Sequence, residues 1–237
     1  MQTEAQQENL TQTEAQQEDL IQTQAKKKEN PFEPKGMAGT FYTVVHDAAC
    51  ILCAVTFLFI FFARIVGVFG SSMYPTLVGQ DTATRSRGDY LILQSNVLCR
   101  GYQYGDVVVA SIPTYEDGKP IVKRVIATPG QTVSFRADAL DHVHVYVDDE
   151  PVPEEYINET MFPRGKGVDG TVLTVPEGCY FLMGDNRNNS LDSRFDEIGF
   201  VDERYIIGKA KLLLLPGQDA HRNGVVDWGR IGSIRHG

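Results

Sequence analysis

The chain has 237 residues, of which 42% are hydrophobic and 22% are charged, which is typical of one mid-sized globular domain with accessory segments. Its formal net charge of −9 argues against a nucleic-acid-binding protein, because neutralising phosphates requires a clustered excess of Lys and Arg. Such a cluster is confined to residues 26–28, and we expect no nucleic-acid partner.

Residues 1–30 repeat a polar ten-residue unit, which reads QTEAQQENLT from Gln2 and QTEAQQEDLI from Gln12. Ten residues advance a helix by roughly 1000°, so Leu10 and Leu20 lie about 80° apart and form no coiled-coil seam. Because few apolar side chains are available for burial, residues 1–40 are predicted to be a solvated, low-complexity tail. A helix that binds a specific partner is the alternative.

An apolar segment follows at residues 41–64, and no charged residue lies between Ala48 and Ala63. About 23 helical residues at about 1.5 Å each span about 35 Å, enough to cross a hydrocarbon core of about 30 Å. The segment is predicted to be a single transmembrane anchor. A buried core helix is the alternative, but such a helix would need protein on every face. A cleaved signal is disfavoured because no Ala-x-Ala pattern follows.

Basic residues flank the anchor unequally. Residues 26–28 and Lys35 are lysines that precede it, whereas Arg64 is the only basic residue between the apolar run and Arg85. Because positive charge favours the cytoplasmic side, this asymmetry predicts a cytoplasmic N-terminus. Residues 65–237 are therefore expected to form an extracytoplasmic domain.

Short runs of strand-forming residues occupy positions 90–94, 106–112, 121–127 and 142–147 of this domain. Turn-forming dipeptides such as Gly88-Asp89 and Pro129-Gly130 separate them. We therefore predict a mainly β domain of antiparallel strands rather than alternating strands and helices.

Cysteines and histidines provide little evidence of a chemical site. Cys99 and Cys179 are predicted to be isolated thiols, with a disulfide between them as the alternative. His142 and His144 alternate along a predicted strand, but no third ligand stands at a recognisable spacing, and we predict no metal site.

Directly after the apolar segment, the sequence GSSMYPTL at 70–77 places two serines on a constrained turn, because Gly70 permits unusual backbone angles and Pro75 prevents a helix. A serine nucleophile needs a neighbouring base, and none of the five histidines is an obvious one. A purely structural turn is the alternative interpretation of this serine pair.

A buried lysine can replace histidine as the base. At a pKa of about 10.4 a lysine is neutral about 0.04% of the time at pH 7, so burial must lower its pKa to roughly 7–8. Lys123 is the lysine most clearly embedded in an apolar strand pattern, whereas Lys119, Lys166 and Lys209 adjoin glycines in loop-like contexts. A strand lysine with its ammonium group in water is the alternative.

A third unusual stretch is the polar run MGDNRNNSLDSR at 183–194. Such a run would ordinarily be a solvated loop. However, short side chains such as Asn186, Asn189, Ser190 and Asp192 can bond to local backbone and form a rigid loop that positions other groups.

Together these blocks resemble the type I signal peptidases, which are membrane-bound Ser/Lys endopeptidases that remove signal peptides. SMYPTL at 72–77 resembles the nucleophile block of the family, KRVIATPG at 123–130 its general-base block, and GDNRNNSLDSR at 184–194 its third signature. The blocks stand in the family's order, and the resemblance covers residues 41–215. It implies a coiled antiparallel β-sheet catalytic domain with a small secondary domain, as in the Gram-positive members.

The resemblance also implies roles for individual residues. Ser72 would be the nucleophile and Lys123 the general base, while Ser190 would orient the lysine through a hydrogen bond. Two ion pairs would support them, Asp192 with Arg194 and Asp185 with Arg124.

For the substrate, the resemblance implies exported preproteins with small residues at P1 and P3, bound as an extended segment. The residues expected beside the substrate are Gly70, Ser71, Met73, Ile121 and Val122. The backbone N–H of Ser72 would stabilise the oxyanion, and Gly70 stands where some members have a serine that adds a second donor. No metal or cofactor is expected, and the lipid bilayer is an expected partner.

Two other interpretations remain open from the sequence. One is a self-cleaving Ser/Lys protein of the repressor type, and the apolar anchor argues against it. The other is a catalytically idle, membrane-tethered β domain that binds exported peptides.

Overall fold

A computed structural model describes residues 36–234, so the predicted repeat tail and its lysines lie outside the described residues. The chain first forms an apolar helix, α1 (Met37–Phe61), which starts and ends a few residues before the predicted anchor at 41–64. Residues Gly39–Phe59 are long and apolar enough to cross a membrane, and no part of their apolar window is buried by protein. No acidic residue stands in the first turn of α1 and no basic residue in its last.

The rest of the described chain is mainly β, as predicted. Its strands pair antiparallel throughout both sheets. They are β1 (Ala63–Gly67), β2 (Tyr90–Ser95), β3 (Val107–Ser111), β4 (Pro120–Ala127), β5 (Thr132–Ala137), β6 (Val143–Val147), β7 (Glu150–Pro151), β8 (Val172–Thr174), β9 (Cys179–Met183), β10 (Val201–Asp202), β11 (Ile206–Leu215) and β12 (Gly232–Ser233).

The larger sheet has the order β1-β2-β11-β3-β4-β9-β10, and β12 pairs with β11. The four sequence runs predicted as strands correspond to β2, β3, β4 and β6, so those predictions are confirmed. The smaller sheet has the order β7-β6-β5-β8 and forms the small secondary part of the domain.

Strand β4 contributes to all three hydrophobic clusters of the domain. Val122 packs into the cluster that contains Met73 and Leu77, Val125 into a second cluster, and Ile126 into a third. Residues 122–127 are consequently all buried. A polar side chain on this strand is therefore removed from water, which matters for Lys123.

The position of Lys209 differs from the one predicted from the sequence. Lys209 lies on strand β11, mostly buried, rather than in a loop, and it forms an ion pair with Asp106. The loop interpretation of Lys209 was wrong because Gly208 is not at a turn here. Instead, Gly208 lets β11 approach the backbone oxygen of Gln94 on β2 more closely than a side chain would allow.

The cysteines of the domain are unpaired, and two of its histidines share one carboxylate. Cys99 and Cys179 are both free thiols, which excludes the alternative disulfide. His142 and His144 face a shared carboxylate, Asp138, at 3.3 and 3.6 Å. Within residues 36–234, no group of three or more His, Cys, Asp or Glu side chains is arranged to hold a metal ion.

Candidate active site

The turn after β1 and the middle of β4 bring a serine and a lysine together. Ser72 lies on this turn, which is anchored because Met73 and Leu77 are buried in the same cluster as Val122 of β4. Lys123 Nζ donates a hydrogen bond of 2.7 Å to Ser72 Oγ. The side chain that would accept the serine proton is therefore already in contact with it.

Lys123 is only 4% exposed, and burial lowers its pKa to about 8. The carboxylates of Asp192 and Asp185 oppose this shift, whereas the positive charge of Arg194 adds to it. Each of these two carboxylates already pairs with an arginine, so Lys123 makes no ion pair with a carboxylate in the described part of the chain. The neutral amine is thereby accessible near neutral pH.

The first of these ion pairs lies within the polar loop at 184–194. Asp192 and Arg194 are both fully buried, and two N–O contacts of 2.8 Å join them. Asp192 also accepts a 3.0 Å hydrogen bond from the backbone N–H of Gly184. Burial alone would raise the pKa of Asp192, but these partners hold it below its ordinary value.

The second ion pair joins β4 to the beginning of the same loop. Arg124 contacts Asp185 through two bonds of 2.7 and 2.8 Å, and both side chains are buried. Arg124 also donates to the backbone oxygen of Gly105 at 2.8 Å. The residue next to Lys123 is thus fixed, which limits the movement of this part of β4.

The hydrogen bond from Ser190 to Lys123 that the resemblance implies is not formed in this structure. The Ser190 hydroxyl is buried and has no hydrogen-bond partner among residues 36–234, although it is near enough to Asp192 to help lower the pKa of that carboxyl. Ser190 nevertheless belongs to the site. It lies against Gly184, and any side chain at Gly184 would collide with Ser190 Oγ and with the backbone oxygen of Ser72.

Two asparagines of the polar loop hold the serine turn. The backbone N–H of Asn186 donates to the oxygen of Ser72 at 3.0 Å, and its side-chain amide donates to the oxygen of Ser71 at 3.0 Å. Asn189 donates to Ser71 Oγ at 2.8 Å. The rigid loop expected from short polar side chains is therefore present, but its contacts with the serine turn are long-range and no local pattern indicates them.

The residues expected beside the substrate divide into two groups. The side chains of Met73 and Val122 are buried in the core, because both pack against the apolar residues of β2 and β3. These two side chains therefore face the core rather than solvent. Gly70, Ser71 and Ile121 are partly or fully exposed and remain available.

Side-chain contacts that the sequence did not indicate connect the small sheet to this site. Glu154 forms an ion pair with the buried Arg187 of the polar loop. The ring of Tyr156 lies 3.9 Å from the guanidinium carbon of Arg124, and its hydroxyl accepts a 3.3 Å bond from Arg187. These residues follow β7 and were not distinguishable from an ordinary acidic loop.

The sequence of this chain is similar to those of known proteins. The sequence profile of the family described as "Signal peptidase, peptidase S26" matches residues 42–215. Signal peptidase I of Bacillus amyloliquefaciens is 35% identical over 158 residues, which cover 64% of this chain and 74% of the relative. Signal peptidase I U of Bacillus subtilis (strain 168) is 35% identical over 153 residues, covering 62% and 73%.

Relatives are not confined to Bacillus. The probable signal peptidase I-1 of Synechocystis sp. is 35% identical over 170 residues, which cover 69% of this chain and 72% of the relative. A crystal structure of a signal peptidase I from Enterococcus faecalis V583 covers 46% of this chain at 28% identity, with a TM-score of 0.35 that is too low to compare the folds. The profile match spans well over half of the chain and includes all three sequence blocks, so this chain belongs to the bacterial type I signal peptidases, peptidase family S26.

Proposed function

We propose that Ser72 is the nucleophile and Lys123 the general base with which this serine endopeptidase cleaves signal peptides from exported preproteins. The observation that carries the proposal is the 2.7 Å contact from Lys123 Nζ to Ser72 Oγ, made by a lysine whose burial lowers its pKa to about 8. Geometry and protonation state both meet the requirements of a general base.

The reaction begins when neutral Lys123 takes the Ser72 proton while Ser72 Oγ attacks the carbonyl carbon of the P1 residue. The oxyanion of the tetrahedral intermediate accepts a hydrogen bond from the backbone N–H of Ser72. Lys123 then gives its proton to the leaving amine, and the mature protein departs from an acyl-enzyme. A water molecule, deprotonated by Lys123, hydrolyses the ester and regenerates Ser72.

The surrounding residues have positioning roles in this proposal. Asp192 with Arg194 and Asp185 with Arg124 stiffen the loop and strand beside Lys123, while Ser190 packs against Gly184 of the same loop. Gly70, Ser71 and Ile121 contact an extended substrate segment that carries small residues at P1 and P3. No step requires a metal ion or a cofactor.

Helix α1 is the anchor of the protein in the lipid bilayer. We infer a cytoplasmic tail at 1–40, an anchor at 41–64 and an extracytoplasmic peptidase domain at 65–237, supported by the lysine-rich flank before the apolar segment. Protease added to intact spheroplasts should then digest the peptidase domain and spare the tail. Neither a self-cleaving protein nor an idle binding domain is favoured, because the relatives named above are signal peptidases I.

The decisive experiment is cleavage of a preprotein in detergent by the wild type and by two variants, Ser72→Ala and Lys123→Ala. Each should lose at least about a thousandfold in rate, since the two side chains act as one unit. Ser111→Ala and Lys119→Ala are matched controls that lie outside the site and should remain active. Near-normal activity of either dyad variant would disprove the assignment.

A further inference from the structure

The segment 216–234, which follows β11, returns to the serine turn. It lies beyond residues 42–215, the part of the chain that matches the family profile. Two of its side chains contact the turn: the ring of His221 lies 4.4 Å from the ring of Tyr74, and Arg230 donates a 2.9 Å hydrogen bond to the backbone oxygen of Thr76. Further hydrogen bonds, to Asp89, hold the Arg230 side chain in this position.

Arg230 is held by a buried carboxylate, Asp89. Its two terminal nitrogens contact the Asp89 oxygens at 2.6 and 3.1 Å, and Asp89 is fully buried. The same carboxylate accepts bonds from the backbone N–H groups of Val78 at 2.8 Å and Gly217 at 2.7 Å. Asp89 thus joins the end of the serine turn, the start of the 216–234 segment and Arg230 at one point.

Thr76 is consequently held from two directions. Arg230 binds its backbone oxygen, and Arg124 approaches its hydroxyl at 3.5 Å from the side of the general-base strand. On this side of the turn, Thr76, Leu77 and Arg230 border an open groove of about 780 Å³. The hydrogen bond from Arg230 therefore holds the Thr76 carbonyl on the side of the turn that faces this groove, whereas Leu77 is held by core packing.

A displacement of Thr76 would be transmitted to Ser72. The turn between them is closed by backbone hydrogen bonds, from Leu77 N–H to the oxygen of Met73 at 2.9 Å and from Tyr74 N–H to the oxygen of Ser71 at 3.1 Å. The turn therefore moves largely as one unit. Misplacing a reacting group by about 1 Å can reduce the rate about a hundredfold.

We propose that Arg230 is a positioning residue for the nucleophile: through Asp89 and the Thr76 carbonyl, it sets the place of Ser72 relative to Lys123. This inference rests on the proposed role of Ser72. It assigns a part in the reaction to a segment outside the family match, and it predicts an effect on the chemical step rather than on substrate affinity or on the protonation of Lys123.

The test is Arg230→Lys, which keeps a positive charge beside Asp89 but cannot bind the carboxylate and the Thr76 oxygen in the same forked geometry. Arg222→Lys is the matched control, since Arg222 lies on the same segment, pairs with Asp219 at 3.9 Å and is largely exposed. Both variants are assayed about 15 °C below the lower melting temperature, so that unfolding does not contribute.

For Arg230→Lys, we expect kcat and the single-turnover cleavage rate to fall by about tenfold to a hundredfold. KM should stay within about twofold, and the pH of the activating limb should not move, because the burial of Lys123 is unchanged. Arg230→Gln should show the same pattern, and Arg222→Lys should match the wild type in every respect.

A purely structural role for Arg230 would lower the melting temperature and leave kcat of the folded protein within about twofold of the wild type, and that result would overturn the inference. An effect confined to KM would overturn it as well. Both results would leave the proposed function intact, provided that Ser72→Ala is inactive in the same assay. Equal activity of the wild type and Ser72→Ala would instead overturn the proposed function.

Discussion

Lys123 Nζ and Ser72 Oγ lie 2.7 Å apart although 51 positions separate the two residues in the chain. The lysine reaches the serine from strand β4, in which residues 122–127 are all removed from solvent. Burial thus has two effects at once. It holds the amine in place, and it favours the uncharged form that can accept a proton.

The pH dependence of cleavage should report this burial. As the proposed general base, Lys123 must be deprotonated to act, so kcat/KM should rise about tenfold per pH unit below its pKa and level off above about 8. The measurement is a pH profile of preprotein cleavage in detergent. An activating limb near the ordinary lysine value of about 10.4 would contradict the buried-base assignment.

Lys123→Arg should abolish activity while the protein remains folded. A guanidinium group stays protonated at any pH used for the assay, so it cannot take the Ser72 proton, and a rate loss of at least about a thousandfold is expected. Lys119→Arg serves as the control because Lys119 is exposed and pairs with Glu116 far from the dyad. Circular dichroism verifies the fold, and restored cleavage at high pH would count against the prediction.

Asp192→Asn should destabilise the domain strongly. It leaves the charge of Arg194 buried without its carboxylate, which typically costs about 3–5 kcal/mol of unfolding free energy. Asp202 and Arg204 provide a matched pair with the same spacing in sequence, but the Arg204 side chain is 81% exposed. Urea unfolding of Asp192→Asn and Asp202→Asn should show a large shift for the first and a much smaller one for the second.

Gly184→Ala should impair cleavage more than stability. The added Cβ would press against the backbone oxygen of Ser72 and against Ser190, so relief requires the nucleophile or the loop to move. We expect a rate loss of about a hundredfold. In the control Gly67→Ala, the new Cβ lies 3.6 Å from the Tyr90 ring, an ordinary contact, and activity should persist. Equal rates for the two variants would show that the serine turn tolerates the displacement.

Local sequence patterns were sufficient for much of the fold. The β-branched residues of β3 and β4 predict strands because their side chains pack on both faces of a buried sheet. Local patterns were not sufficient to predict β11, in which Gly208 and two lysines interrupt the apolar pattern. Its pairing with β2 and β3 supplies the missing stability, and that pairing is a property of the sheet rather than of the segment.

The site required more than local patterns. Ser72 and Lys123 were indicated jointly by a family resemblance, since a turn serine and a strand lysine are each commonplace. Asp89 was interpreted only as part of a turn, yet its partners Gly217 and Arg230 stand 128 and 141 positions away. Contacts over such separations leave no periodic signal in one sequence, which is why the contacts of Asp89 with Gly217 and Arg230 became visible only in the structure.

The place of β11 in the larger sheet also affects when the enzyme can first act. Ser72 follows β1 and Lys123 lies on β4, and β11 separates the β1-β2 pair from the β3-β4 pair. A ribosome completes residues 206–215 only after all of these strands have been synthesised, and the domain cannot close its sheet without them. We therefore expect a nascent chain to lack an assembled Ser72–Lys123 pair, so that each molecule begins to cleave substrates only after its residues 206–215 have been synthesised.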